Sequence, residues 1–127
     1  MNFDNKGTAI YLQIAERIMD EISNGTYPPE ARIPSVREYA ATVEVNANTV
    51  MRSFDFLVRE EIIYNRRGIG FFVCSEAQAK IIEMRKRHFF DNEMSRTFAL
   101  LKSIGISPDE LRNLYQTFLT NSTSTQQ

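Results

Sequence analysis

The chain of 127 residues has no tryptophan, one cysteine and one histidine. The lone Cys74 excludes a disulfide framework and any cysteine-rich metal site. The lone His88 has no second His or Cys at ligand spacing, which excludes most histidine-based catalysis and metal coordination, so no metal or cofactor is expected. Long apolar runs are also missing, and nothing approaches the ~20 residues that span a bilayer. The opening MNFDNKGTAIY lacks the basic and apolar regions of a signal peptide. Positive charge is not in excess: fifteen Lys and Arg face sixteen Asp and Glu, a net charge of -1. That excludes a protein that coats DNA by bulk charge, but not one with local basic patches. These deficits point to a cytoplasmic chain with a reduced thiol. Its core can only be modest, so a partner subunit would help it.

What is present is amphipathic helix. Ile10, Ile14, Ile18 and Ile22 recur every fourth residue, with Tyr11 and Met19 beside them, and predict a helix from about Thr8 to Asn24. Gly25 and Tyr27-Pro28-Pro29 end it. Ala31-Arg32-Ile33 reads as an extended link. Ser35-Val36-Arg37-Glu38 is a capping box opening a short helix to about Thr42, which buries Val36, Tyr39 and Ala40. Asn46 fits the N-cap of a third helix ending near Glu60 and is counted with the DNA-binding candidates at that end; Val50, Phe54, Leu57 and Val58 are the buried stripe. Ile62–Asn65 and Phe71–Cys74 read as two strands around a basic, glycine-bearing loop, Arg66-Arg67-Gly68-Ile69-Gly70. Ser75–Gln78 and Ser107–Glu110 open two further helices, one to about Ser103 and one from Pro108. The expected architecture is mainly α with a small β-hairpin: a winged helix-turn-helix over residues 1–74, a two-helix segment over 75–120 and a disordered polar tail over 121–127.

Three groups of residues could carry function. Asn48, Thr49 and Arg52 share a face of the third helix apart from its buried stripe, near the end that enters the major groove in helix-turn-helix proteins. Asn pairs with adenine, Arg with guanine, and Thr offers a hydroxyl and a methyl group. An ordinary solvated face is the plain alternative. Arg66 and Arg67 before Gly68 and Gly70 suit close approach to phosphate; the alternative is a hairpin that is merely basic. The loop lacks the third glycine and the following helix of a nucleotide-binding loop. Arg32, Ser35 and Arg37 surround a helix N-terminus, where N–H groups favour phosphate; the two arginines could instead pair with Glu30, Glu38 or Glu44. Residues 1–75 hold eight Lys and Arg against ten Asp and Glu, so the acidic groups must lie away from any DNA face. Glu16, Asp20 and Glu21 on the first helix and Glu60-Glu61 beyond the third fit that requirement.

Residues 9–73 resemble the DNA-binding domain of the GntR superfamily of bacterial transcription regulators. AIYLQIAERIMDEISNGTYPP, ARIPSVREYA, VNANTVMRSF and IIYNRRGIGFFV carry the resemblance. With the short C-terminal segment, the chain is similar to the small YtrA-like subfamily. The resemblance implies a homodimer on a two-fold symmetric operator, with Arg37, Asn48, Thr49 and Arg52 in or beside the major groove. Arg66, Arg67, Gly68 and Gly70 would form the wing, and Ser35 would cap the second helix and touch phosphate. It also implies repression, often of a transporter operon. Four positions depart from the family pattern. Glu30 and Glu61 stand where glycine is usual, Phe71 where threonine is frequent and Phe56 where a polar residue is. Glu in a left-handed turn costs about 1 kcal/mol more than Gly, so altered turns are expected. Phe56 is expected to pack on the C-terminal helices or on a partner subunit.

The C-terminal helices carry Phe89, Phe90, Met94, Phe98, Leu101, Leu114, Tyr115 and Phe118. Such apolar density calls for core packing or for the same helices of a second subunit; a drug- or lipid-sized effector is the sharper alternative. An inducer would then act through a hinge near Cys74-Ser75. Arg85-Lys86-Arg87-His88 reads as a solvated basic face. The expected function is a sequence-specific DNA-binding repressor. The alternative is a winged-helix protein-interaction module without DNA binding. No nucleophile–base pair, carboxylate pair or cofactor loop marks an enzyme.

Overall fold

The computed structural model describes residues 8–125, which part into two compact units between Arg85 and Lys86. The first unit starts with α1, Ile10–Ser23. The four-residue repeat buries Ile14, Ile18 and Ile22, with Ala15 and Met19 widening the stripe, while Ile10 on the first turn stays exposed. Helix α2, Val36–Val43, is opened by the expected capping box. Ser35 Oγ accepts from Glu38 N at 3.1 Å, and Glu38 Oε1 accepts from Ser35 N at 3.0 Å. Helix α3, Ala47–Arg59, is capped by Asn46, whose side-chain oxygen accepts from Asn48 N at 2.8 Å. It buries Val50, Ser53, Phe54 and Leu57; Val58, expected inside, is exposed.

Strands β1, Ile63–Arg66, and β2, Gly70–Val73, pair antiparallel with Tyr64 opposite Phe72 and Asn65 opposite Phe71. The link through Arg32 is more than a connector. Glu30 N and Ile33 N donate to Val73 O and Phe71 O, and Val73 N donates to Ala31 O, each at 2.9 Å. This lays the segment along β2 as a third short edge, which satisfies backbone groups that an isolated hairpin would leave open.

Helix α4, Ala77–His88, belongs to the winged unit up to Arg85. Ala77 and Ile81 are fully buried in the same core as α1 and α3. Gln78 Nε2 donates to Ile22 O at 3.2 Å, and Arg85 pairs with Glu16 at 2.9 Å and Asp20 at 2.7 Å. The domain therefore closes eleven residues beyond the expected boundary at Cys74, and this packing opposes a hinge at Cys74-Ser75. The stripe runs through Ala77, Ile81 and half-buried Met84, not through Ile82, which is exposed. Arg85 likewise leaves the expected solvated basic face to hold two carboxylates.

Three glutamates take left-handed backbone: Glu30 (φ 69°), Glu44 (φ 58°) and Glu61 (φ 61°). At Glu30 and Glu61 the chain takes a left-handed turn without glycine. Each of these two side chains is engaged: Tyr64 Oη donates to Glu30 at 2.6 Å, and Lys80 pairs with Glu61. Phe71 and Phe56 are explained by the core of their own unit. Phe71 meets Phe54 edge-on at 4.9 Å, and Phe56 is half-buried against the same cluster.

In the second unit a π-helical turn over Phe89–Glu93 leads into α5, Met94–Ser103. So the helix expected to run uninterrupted to Ser103 carries a local widening at its double phenylalanine. Gly105 (φ 78°) turns the chain, and α6, Pro108–Thr125, follows with Ser107 Oγ accepting from Glu110 N at 3.2 Å. Helix α6 runs into the tail expected to be disordered, whose last two residues lie outside the described ones. No glycine or proline interrupts that stretch, so the helical hydrogen-bond ladder continues. No described residue of this unit is buried. Phe89, Phe90, Phe98, Leu114 and Phe118 are exposed, and Met94 and Leu101 are half-covered, so the expected burial does not occur within one chain.

Candidate nucleic-acid interface

The α2–turn–α3 corner is fixed from inside. Tyr39 of α2 lies edge-on to Phe54 of α3 at 6.4 Å, and its hydroxyl donates to Glu21 Oε1 at 2.5 Å. Burial, with the Glu21 carboxylate behind it, pushes the Tyr39 phenol far above its usual range. Glu21 is thereby used internally. Ser53 Oγ donates to Tyr11 O at 2.6 Å and to Thr49 O at 3.3 Å, so α3 is also registered against α1.

With its buried side so anchored, α3 turns Asn48, Met51, Arg52, Asp55 and Arg59 outward at spacings of three and four residues. Asn48 and Arg52 are exposed as expected; Thr49 is half-buried at the edge of the face rather than at its centre. Arg52 is not loose: its guanidinium carbon lies 4.1 Å above the centre of the Tyr11 ring. Met51 and Asp55 were missed by the sequence reading, although each lies three residues beyond a residue of that face, Asn48 and Arg52 respectively. Asp55 also breaks the expectation that acidic residues leave this face. Met can meet a thymine methyl group, and a carboxylate can accept from the cytosine amino group.

At the start of α2, Ser35 is spent on the capping box, and the same hydrogen bonds hold the exposed Glu38 carboxyl below its usual range. Arg37 is exposed. Arg32 also reaches the wing, because its segment pairs with β2. A Cβ on Gly70 would lie 2.9 Å from Arg32 Nε, so Gly70 (φ 142°) leaves room for that guanidinium and joins Arg32 to the wing. On the wing, Arg66 lies 5.4 Å over Phe72, itself stacked on Tyr64 at 5.8 Å. Arg67, Gly68 and Ile69 form the exposed tip, closed by Ile69 N donating to Arg66 O at 2.8 Å. The remaining acidic groups are largely tied down: Glu16 and Asp20 by Arg85, Glu30 by Tyr64, Glu61 by Lys80. The protein thus presents a helix face with Arg52, Asp55 and Arg59 and a basic hairpin, while four of its carboxylates are engaged within the winged unit. Cys74 is half-buried, and burial raises its thiol pKa, which does not favour a reactive thiolate.

Residues 10–73 match the bacterial regulatory proteins of the gntR family. The chain belongs to the GntR family. It is 31% identical over 109 residues to YhcF, a helix-turn-helix-type transcriptional regulator of Bacillus subtilis, covering 86% of this chain and 88% of that one. It is 36% identical over 76 residues to the repressor YtrA of the same organism, which covers 60% of this chain and 58% of YtrA. Among solved structures, a GntR-family transcriptional regulator from Bacteroides thetaiotaomicron superposes with a TM-score of 0.76 at 51% identity, over 90% of this chain and 99% of that one. The DNA-binding domain of AraR, solved in complex with operator ORX1, superposes with a TM-score of 0.52 at 26% identity, over 58% of this chain and 89% of that one. This GntR chain is therefore a winged helix-turn-helix DNA-binding transcriptional regulator of the YtrA-like kind. Among its described residues no helix is long and apolar enough to cross a membrane.

Proposed function

We propose that the protein is a cytoplasmic, sequence-specific repressor that binds a two-fold symmetric operator as a homodimer and controls a transporter operon. The observation that carries the reading is the outward face of α3, where Asn48 and Arg52 stand exposed at the capped N-terminal end of a helix otherwise clamped into the core. Thr49 contacts DNA from the edge of that face. Asn46 acts by ordering the first turn. Arg37 and the α2 N-terminus behind Ser35 meet phosphate. Arg32, Arg66, Arg67, Gly68 and Gly70 run the wing along the backbone or into the minor groove. AraR, a relative in complex with its operator, supports DNA as the partner.

The dimer is formed by Phe89, Phe90, Met94, Phe98, Leu101, Leu114 and Phe118, whose exposed apolar surface in the single chain is what a second copy would cover. Two α3 helices then enter successive major grooves about one helical turn apart. A small-molecule effector, if one exists, acts beyond Arg85 rather than at Cys74.

The test is selection of bound duplexes from random DNA, followed by titration of the winner at several salt concentrations. A two-fold symmetric consensus is expected, with affinity falling steeply as salt rises. No enrichment over random DNA, with the purified chain folded, would overturn the reading.

A further inference from the structure

We propose that Tyr11 is a positioning residue for base recognition: its ring holds the Arg52 guanidinium flat, with the N–H edges turned outward for a base pair. The inference rests on the proposed role of Arg52. At 4.1 Å this is the closest of the cation–aromatic contacts among the described residues; the others lie at 5.4–5.9 Å. A guanidinium stacked on a ring uses its face and leaves its in-plane donors free, and those donors form the fork that pairs with guanine O6 and N7.

The ring is itself fixed. Tyr11 is half-buried in the first turn of α1, and its backbone carbonyl accepts from fully buried Ser53, the residue beside Arg52. One buried hydrogen bond therefore registers the ring and the arginine against each other across α1 and α3. A free arginine loses much of its rotamer freedom on pairing with a base. Here that ordering precedes DNA, so Tyr11 takes part in recognition although α1 carries none of the base-facing residues.

The test compares the full chain with Y11F, Y11L, R52A and Y11L/R52A. Each is titrated against the selected duplex, a scrambled duplex and duplexes substituted at single base pairs. R52A should lose about 10- to 100-fold on the selected duplex and stop discriminating at one base pair. Y11L should lose about three- to tenfold there and at the same base pair, with little change on scrambled DNA. Y11F, which keeps the ring, should stay within about twofold of wild type, and the double variant should be no weaker than R52A. Additive losses, equal losses on scrambled DNA, or a Y11F as weak as Y11L would overturn the proposal. The last result would point to a hydroxyl–phosphate contact. An R52A that discriminates normally would overturn both this inference and the base-reading role of Arg52, while a symmetric consensus would leave the repressor reading standing. NMR of the DNA-free chain gives a second readout that survives even if Y11L fails to fold. Arg52 side-chain protons should be displaced upfield by the ring, and ordinary positions would overturn the stack.

Discussion

The two units of this regulator are built from similar helical segments but end in opposite states. Up to Arg85, three helices, a hairpin and the start of α4 bury a continuous cluster, from Ile14 to Ile81. Beyond it, α5 and α6 also carry large apolar side chains, among them Phe98, Leu114 and Phe118, and not one described residue is buried. The difference lies in closure. The winged unit folds back on itself at Gly25, Glu44 and Glu61, so each amphipathic stripe meets another. The second unit has one turn, at Gly105, and two helices cannot cover both of their apolar sides. The first unit closes its own core; the second leaves its apolar surface open.

The largest effect should come from breaking the closed side of this contrast. Phe54 is fully buried and meets both Tyr39 and Phe71 edge-on. Phe54→Ala should destabilise the winged unit by about 3–5 kcal/mol, most of the stability of a small domain. Urea unfolding followed by circular dichroism measures it, and a loss under about 1 kcal/mol would show that this ring is not central to the core.

Next in size is the open side. Leu114→Asp with Phe118→Asp changes two side chains that are more than half exposed in the single chain. The pair should weaken self-association by about 100-fold or more, seen by analytical ultracentrifugation, while the winged unit's unfolding midpoint stays within the small range of surface substitutions. A dimer that survives would move the interface elsewhere. A fall in the winged unit's own midpoint would mean that its stability depends on the second unit.

How much of this was legible in the sequence follows the same division. Period and punctuation located α1, α2, α3 and the hairpin to within two or three residues, because in a closed unit local pattern and tertiary packing agree. Both sides of the capping box at Ser35 and the cap at Asn46 were readable for the same reason. The boundary at Cys74 failed because the continuing α4 looks like the start of a new segment; only its partner surface shows that Ala77 and Ile81 complete the first core. Glu30 and Glu61 could be flagged as left-handed by resemblance. Glu44 could not, since its φ of 58° comes from ending α2 in the turn before α3. On the site, Asn48 and Arg52 were placed by spacing alone. The Tyr11–Arg52 stack needed the α1–α3 packing, which no local signal reports. In the second unit the pattern named the apolar residues correctly but could not say what they pack on, because burial there depends on something outside the single chain.

The smallest expected effect concerns the ties that hold α4 to the winged unit. The Lys80 ammonium beside Glu61 holds its exposed carboxyl below the usual glutamate range, and the carboxylate raises Lys80 in return. A carboxyl with a depressed folded pKa adds stability that is present above its unfolded value, about 4.3, and disappears as pH falls through the lower folded value. Glu61→Gln should therefore lower the thermal midpoint of the winged unit by a few degrees at most at pH 6, and the deficit should vanish as pH falls through the depressed folded value of Glu61. High salt should shrink the pH 6 difference, because the pair is exposed and screened. In the second unit the ion pairs Arg112–Asp109 and His88–Glu93 join residues within five positions of each other, so losing them to acid should leave its helices' mutual packing nearly unchanged. A Glu61→Gln deficit that does not shrink as the solution is acidified would show that the ion pair is not its cause.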